Sequence, residues 1–241
     1  MKKIFAISDL HLSFQVDKPM NVFGKGWDGY EERVLQDWNL KLGNDDIGVI
    51  AGDISWAMNM NEAREDFAYI KKLAGKKIIV RGNHDYWWKS ITRIREELGS
   101  DVYVLQNDAV RLGVNLTEKP CIVFAGTRGW RVPEKHHTVK SEDKKIFDRE
   151  VIRFELALKD AKTKLQDGDK LVAVLHYPPF NATRDDSPFT KLCEQFKVDV
   201  CIYGHLHGRV PRDGLEVIRN RVRYVLTSCD LLEHEVMEIK L

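Results

Sequence analysis

Carboxylate, amide and imidazole side chains occur in five segments of the sequence, each directly after a short apolar run. Seven of them are metal-ligand types, in the order Asp9, His11, Asp53, Asn83, His176, His205 and His207. With no thiolate among them, these donors suit borderline cations such as manganese, iron, cobalt, nickel or zinc more than calcium or magnesium. Seven donors are too many for one tetrahedral site. They indicate two divalent metal ions that share a bridging carboxylate, at a separation of roughly 3.5 to 4 Å.

The spacing within two of these segments allows two side chains of each segment to face the same metal ion. Alternate residues of an extended chain face the same side, so Asp9 pairs with His11 and His205 pairs with His207. Glycines precede three of the ligands and lack a side chain that would block a close approach. A lone aspartate at a strand end more often caps a turn, and a lone His176 would more often be a core histidine. The metal hypothesis therefore depends on all five segments together.

The apolar runs before these segments are typical of buried strands. They are short, rich in Ile and Val, and bounded by Gly, Asp, Asn or Pro, and they cover residues 2–7, 47–51, 77–80, 122–125, 171–175 and 198–203. Apolar residues at helical spacing predict helices over 31–42, 61–73 and 143–165. Strands alternating with helices indicate an α/β fold. Residues 215–225 and 235–241 predict further short strands.

The longest predicted helix and two irregular loops carry more specific expectations. In the helix 143–165, we expect Ile146, Ile152, Leu156 and Leu165 to face the core. The loops 15–30 and 126–137 follow apolar runs, where open α/β sheets form their ligand crevice.

Residues 24–29 also satisfy Gly-x-Gly-x-x-Gly, the fingerprint of dinucleotide binding. That fingerprint needs a tight turn from a strand into a helix, whereas an irregular stretch precedes it here. We therefore favour a mobile loop over the metal site.

Composition and charge narrow the class of protein. The chain has 241 residues with no repeat or linker, so we expect a single domain over 1–241. It carries 38 Lys and Arg against 37 Asp and Glu, a formal charge of +1, which argues against a dedicated nucleic-acid surface or a membrane partner.

Four cysteines without a Cys-x-x-Cys pair predict buried free thiols. Charged residues interrupt every apolar run before it reaches the length of a signal peptide or a membrane span. We expect a cytoplasmic location.

In their order, the five segments resemble the motif set of the calcineurin-like metallophosphoesterases, in particular the bacterial-type branch. The resemblance extends from Asp9 to His207 and implies a four-layer α/β/β/α sandwich of two mixed β-sheets flanked by helices. It also implies two ligand sets with Asp53 bridging. The first metal would be held by Asp9, His11, Asp53 and His207, and the second by Asp53, Asn83, His176 and His205.

The activity implied by this resemblance is a dinuclear-metal-dependent phosphoester hydrolase. A metal-bridging hydroxide would attack phosphorus in line, while the metals and Asn83 offset charge on the phosphoryl oxygens. His84 would protonate the leaving group, and Asp85 would orient His84 and favour its charged form. Arg128 and His137 are candidate substrate contacts, because an arginine can bind a phosphate through two hydrogen bonds.

Departures from subfamily patterns narrow the substrate. The segment at Asp53 lacks the Gly-Asp-x-x-Asp-Arg-Gly block of the protein serine/threonine phosphatases, and lipid-precursor pyrophosphatases typically carry arginine where this chain has His84. The sequence is more similar to members that hydrolyse phosphodiesters or small phosphomonoesters, so we expect a small phosphorylated substrate. The alternative is a catalytically weak, phosphoesterase-like scaffold for proteins, as in the retromer subunit. Retention of the ligand histidines and of His84 favours the enzyme.

Overall fold

The computed structural model describes residues 2–113, 120–135, 140–208 and 214–241. The strands in these ranges are β1 (Ile4–Ile7), β2 (Ile47–Ile50), β3 (Lys76–Val80), β4 (Val102–Leu105), β5 (Asp108–Leu112), β6 (Ile122–Gly126), β7 (Lys170–Val174), β8 (Val200–Tyr203), β9 (Glu216–Arg219), β10 (Val222–Leu226) and β11 (Met237–Glu238). The α-helices are α1 (Tyr30–Lys41), α2 (Arg64–Lys72), α3 (Ile91–Leu98), α4 (Ser141–Lys164) and α5 (Pro188–Gln195). Two short 3-10 helices cover Met20–Phe23 and Lys25–Trp27.

The strands form two mixed sheets. The first has the order β11-β1-β2-β3-β4, in which β11 is antiparallel and the other strands are parallel. The second has the order β5-β6-β7-β8-β10-β9, in which the edge strands β5 and β9 are antiparallel to their neighbours. The predicted α/β fold is confirmed, and the short strands expected near the end of the chain are β9, β10 and β11.

Alternate side chains of the strands enter different cores, which produces the layers. In β1, Ile4 and Ala6 pack between the two sheets, together with Phe124 of β6. Phe5 and Ile7 point the other way and pack with helices α1, α2 and α3. The outer face of the second sheet packs with α4 and α5 in the same manner. The parallel strands are therefore buried on both faces, and the order of layers is helix, sheet, sheet, helix, as the resemblance implies.

Helix α4 buries a different face from the predicted one. Ile152 is 58% exposed and Leu156 is 51% exposed, so the expectation that they face the core is wrong. The buried residues of α4 are Glu150, Phe154, Ala157, Leu158 and Ala161. One residue of the buried face, Glu150, is charged, so the spacing of apolar residues alone does not show which face is buried. Glu150 is buried because Arg128 and Arg153 pair with its carboxylate.

Helices α3 and α5 and strands β4 and β5 have no counterpart in the predictions. Helix α5 nevertheless begins with a recognisable signal. Ser187 Oγ accepts a hydrogen bond from the backbone of Thr190, the backbone of Ser187 donates to Thr190 Oγ1, and Pro188 occupies the first helical position. Among the described helices, none is both long and apolar enough to cross a membrane.

Candidate metal centre

The ends of five parallel strands meet at one edge of the two sheets, which brings the predicted segments together. Within the first sheet, the backbone N–H of Asp9 donates to the backbone oxygen of Gly52 at 2.9 Å. The backbone N–H of His11 donates to the backbone oxygen of Asp53, also at 2.9 Å. Between the sheets, the backbone N–H of His205 donates to Asp9 Oδ2 at 2.9 Å. The Asp9 carboxylate therefore fixes the position of one sheet against the other.

Close packing at this edge requires glycine. A Cβ atom at Gly82 would collide with the Asp53 carboxylate, and one at Gly204 would collide with Ser8 and Asp9. These contacts confirm the expected close approach at the glycines. The backbone is also strained here, because Asp9, His11, Asp53 and His205 all have positive φ, between 49° and 72°.

The first group of ligand-type side chains consists of Asp9, His11 and His207. One ligand atom from each lies within 4.8 Å of the other two. Asp9 and His11 are buried, whereas His207 is exposed. The Nδ1 atom of His207 lies 2.9 Å from Asp230 Oδ1, which leaves Nε2 to face Asp9 Oδ1 at 3.6 Å. A carboxylate on the far nitrogen is the usual way in which a protein orients a metal-binding imidazole.

The second group consists of Asp53, His176 and His205, whose ligand atoms meet the same 4.8 Å limit. Asp53 Oδ2 lies 3.4 Å from His176 Nε2 and 3.8 Å from His11 Nε2, so it stands between a histidine of each group. The Tyr177 ring lies 4.3 Å from the His205 ring, centre to centre. A carboxylate shared by two clusters is the arrangement expected of a bridging ligand.

Asn83 extends the second group. Its Oδ1 atom lies 2.8 Å from His176 Nε2, while His176 Nδ1 lies 3.0 Å from the backbone oxygen of Ala51. When Nδ1–H donates a hydrogen bond to the backbone oxygen of Ala51, Nε2 carries a lone pair and faces a second lone-pair atom, Oδ1 of Asn83. Two acceptors that converge in this way suit a shared cation.

Electrostatics at the site favour bound positive charge. Burial, together with the neighbouring carboxylates of Asp85 and Asp9, raises the pKa of the Asp53 carboxyl to about 9. Burial lowers the pKa of His11 to about 3 and that of His176 to about 4, so both imidazoles are neutral and free to coordinate. A divalent cation would offset the repulsion between the carboxylates without charging the histidines. The donor set and its burial therefore fit a metal centre.

In the first group, Asp9 and His207 shift each other's pKa in opposite directions. Burial raises the pKa of the Asp9 carboxyl, but His207 and the other histidines lower it by more, so the net shift is downward. Burial lowers the pKa of His207, yet the carboxylates of Asp230 and Asp9 raise it to about 10. A proton on His207 thus balances Asp9 where a cation would do the same.

His84 lies beside both groups. Its ring centre is 5.5 Å from that of His11 and 4.4 Å from that of Trp56, and its backbone N–H donates to Asp53 Oδ1 at 2.8 Å. Burial lowers the pKa of His84. Among the described residues, its buried Nδ1 atom has no hydrogen-bond partner. The ring is therefore held by packing rather than by a carboxylate.

Asp85 does not contact the His84 ring, contrary to the expectation that it orients this histidine. Its carboxylate accepts hydrogen bonds from the backbone of Ile54, Ser55 and Gly82, and from Trp87 Nε1. These bonds join the loop after β2 to the loop after β3. Asp85 thus positions the segments that carry Asp53 and Asn83.

Comparison with known protein families agrees with this geometry. The family model of the calcineurin-like phosphoesterases matches residues 2–209, which is most of the chain. The chain belongs to this family. Together with the two ligand groups, membership identifies a metal-dependent phosphoesterase.

Several solved structures share the fold of this phosphoesterase. Phosphopantetheinyl hydrolase from Mycobacterium tuberculosis is 18% identical with a TM-score of 0.58, and the alignment covers 94% of this chain and 89% of that one. A protein of Thermus thermophilus is 13% identical with a TM-score of 0.59, over 99% and 98% of the two chains. GAP50, described as the anchor in the inner membrane complex of Plasmodium, is 15% identical with a TM-score of 0.53, over 94% and 71%. The search of curated proteins finds no match.

The two predicted substrate contacts of the phosphoesterase have different outcomes. Arg128 lies after β6, where its guanidinium is 3.5 Å from the Glu150 carboxylate and 4.7 Å from the centre of the Trp130 ring. It is therefore paired on one side already, and its contact with substrate stays a prediction. His137 lies outside the described residues.

Sequence reasoning missed polar residues that support the ligands of the phosphoesterase. Asp230 holds His207, and Ser8 and Ser228 donate to Asp9 Oδ2 at 2.5 and 2.9 Å. A signal for them exists, because residues 227–230 directly follow β10 as the other site segments follow their strands. Ser228 and Asp230 lie in a segment without a histidine, so the ligand pattern did not single them out, and Ser8 stands next to Asp9 but is not a metal-ligand type.

Proposed function

We propose that this phosphoesterase binds two divalent cations and hydrolyses a phosphodiester or a small phosphomonoester. The first cation would be held by Asp9, His11, Asp53 and His207, and the second by Asp53, Asn83, His176 and His205. The observation that carries the proposal is the position of Asp53 Oδ2, within 4 Å of a histidine of each group. Manganese, iron, zinc, cobalt or nickel would suit these donors.

Bound cations would supply a nucleophile at neutral pH by lowering the pKa of water, and would offset charge on the phosphoryl oxygens. The protein must then deliver a proton to the departing alkoxide. His84 is suited to this role because its ring borders a cavity next to the first group. Asp85 would act as a positioning residue, through the loops that it joins.

The His84→Asn variant tests this assignment. We expect it to retain metal but to lose about 10²- to 10⁴-fold in turnover of an alkyl ester. The loss should be much smaller for a nitrophenyl ester, because that leaving group departs without a proton. Metal analysis and the two rates from one protein preparation provide the internal control. Wild-type rates with the alkyl ester would overturn the role of His84.

The reaction class needs a direct comparison of substrates. Manganese-supplemented protein should be assayed with bis-nitrophenyl phosphate, nitrophenyl phosphate, a nucleotide panel and a phosphopantetheinyl ester. The last is included because the hydrolase from Mycobacterium tuberculosis has a similar fold. Preference for the first substrate would identify a phosphodiesterase, and preference for the second a phosphatase.

The scaffold alternative has one observation in its favour, since GAP50, which is described as an anchor, shares the fold. A scaffold has no need to retain the ligands, whereas both ligand groups are complete here. Less than one equivalent of metal after reconstitution, with no hydrolysis of any ester, would favour the scaffold.

A further inference from the structure

A cavity of about 380 Å³ opens beside the first ligand group. Three histidines, His11, His84 and His207, line it. This cavity touches the proposed proton donor and two proposed metal ligands at once. Because a proton donor must stand next to the departing oxygen, the cavity lies on the side of the site from which the leaving group departs.

The walls of the cavity are apolar. Met20, Phe23 and Trp27 come from the loop 15–30, and Trp56 comes from the loop after β2. Phe23 is 71% exposed, whereas Trp27 is buried. The loop expected to cover the site therefore does so with aromatic side chains, a role that differs from dinucleotide phosphate binding at the Gly-x-Gly-x-x-Gly segment.

Two of the rings are fixed in place before any ligand arrives. Trp56 stacks on His11 with ring centres 4.7 Å apart and an interplanar angle of 21°, and its Nε1 donates to Met20 Sδ at 3.2 Å. Trp27 packs edge-on against Tyr30 at 4.9 Å. Rigid aromatic walls lose little conformational entropy on binding and favour a flat ligand.

Two polar groups of the cavity, the Asp230 carboxylate and Trp56 Nε1, are already engaged. Asp230 accepts from His207 Nδ1 at 2.9 Å and from the backbone of Gly208 at 3.1 Å. Trp56 Nε1 is bound to Met20, as described above. These two groups are therefore not available to a ligand, and the aromatic walls contact it through the faces of its rings.

We propose that this cavity binds a planar aromatic ring carried by the leaving group of the substrate, such as an aryl group or a nucleobase. The inference rests on the proposed function for the direction of departure, but the binding of the ring does not. Because face contacts decide the selection, purine and pyrimidine rings should be accepted alike.

Binding of non-hydrolysable phosphonates tests the cavity without turnover. Calorimetric titration of the manganese-loaded protein should show benzylphosphonate binding at least about tenfold more tightly than methylphosphonate. The Phe23→Ala variant should weaken benzylphosphonate binding by about 3- to 10-fold and leave methylphosphonate unchanged. Val22→Ala is the matched control, because Val22 is 72% exposed on the same 3-10 helix and does not line the cavity.

Three results would overturn the proposal. The first is equal affinity for benzylphosphonate and methylphosphonate, and the second is an equal response of Phe23→Ala and Val22→Ala. The third is binding of cyclohexylmethylphosphonate as tight as that of benzylphosphonate, which would make the cavity a general apolar site.

Product analysis tests the direction of departure. From methyl benzyl phosphate, we expect release of benzyl alcohol with methyl phosphate left behind. If the enzyme accepts only monoesters, kcat/KM for benzyl phosphate should exceed that for methyl phosphate. Release of methanol, or equal kcat/KM values, would show that the cavity does not bind the ring of the leaving group. If no ester is hydrolysed but the phosphonate pattern holds, the proposed function fails and the ring site stands.

Discussion

One histidine of the second ligand group is fully enclosed by the protein, whereas one histidine of the first group is partly exposed. The side chain of His176 has no exposed surface, and its Nδ1 atom is held by the backbone oxygen of Ala51. The side chain of His207 is 38% exposed and is held by the side chain of Asp230. Orientation by the backbone survives mutation of neighbours, but orientation by a side chain does not. We therefore expect the first cation to exchange faster with solvent than the second.

Each of the two groups borders a cavity, and the two cavities have different linings. The first faces the aromatic walls of the 380 Å³ cavity. The second borders a cavity of about 340 Å³ that is lined by Arg131, Arg184, Tyr177 and His205, among others. This second cavity carries Arg131, Arg184 and Glu134 among mostly apolar residues, whereas the residues that line the first cavity include no arginine or lysine.

The largest effect is expected where the two groups meet. Asp53→Asn should lower turnover by more than about 10³-fold, because both cations lose a shared charged ligand worth several kcal/mol in the transition state. Metal analysis should show loss of both cations. A variant that keeps one full equivalent would show that the groups bind metal independently.

A smaller effect is expected from crowding the enclosed group. A Cβ atom in Gly52→Ala would lie 2.6 Å from His176 Nδ1, in a backbone with φ of 89°. We expect the free energy of unfolding to fall by about 3 kcal/mol from strain and overpacking. Gly168→Ala is the control, because its φ is 86° but no atom lies within 4 Å of the new Cβ, so only the strain of about 1 kcal/mol remains. Equal denaturation midpoints for the two variants would show that the second group is less tightly enclosed than the distances indicate.

The smallest effect is expected from loosening the open group. Asp230→Asn removes the carboxylate that orients His207. The variant should bind one cation with about tenfold lower affinity, while its affinity for the other stays unchanged. Titration with a metal-sensitive indicator would resolve the two affinities. Asp45→Asn, an exposed aspartate, serves as the control. An equal loss of affinity for both cations would contradict the distinction between the groups.

Much of the site could be predicted because its ligands are local in sequence. Asp9 with His11, and His205 with His207, come in pairs directly after strands, and the α/β alternation places the ends of parallel strands at one edge. The apolar runs located β1, β2, β3, β6, β7 and β8 to within two residues at each end. The family resemblance supplied the division of these ligands between two cations, which stays a prediction; the Asp and His residues among them form two groups in the structure.

The remaining features depend on contacts between distant segments. Asp85 is adjacent to His84 in sequence, yet it binds the loop after β2, because three backbone N–H groups and Trp87 surround its carboxylate. Glu150 is buried in α4 because Arg128 and Arg153 pair with it, and no apolar period can show a buried charge.

The sequence by itself therefore determined which chemistry is present, since ligand types and their order after strands follow from local pattern. Only the tertiary structure decided how the two sides of the site differ. The backbone bond from Ala51, the carboxylate of Asp230 and the aromatic walls around His84 come from segments far apart in the chain. Their positions follow from the packing of two sheets and a loop, and burial and enclosure are properties of that packing rather than of any residue alone.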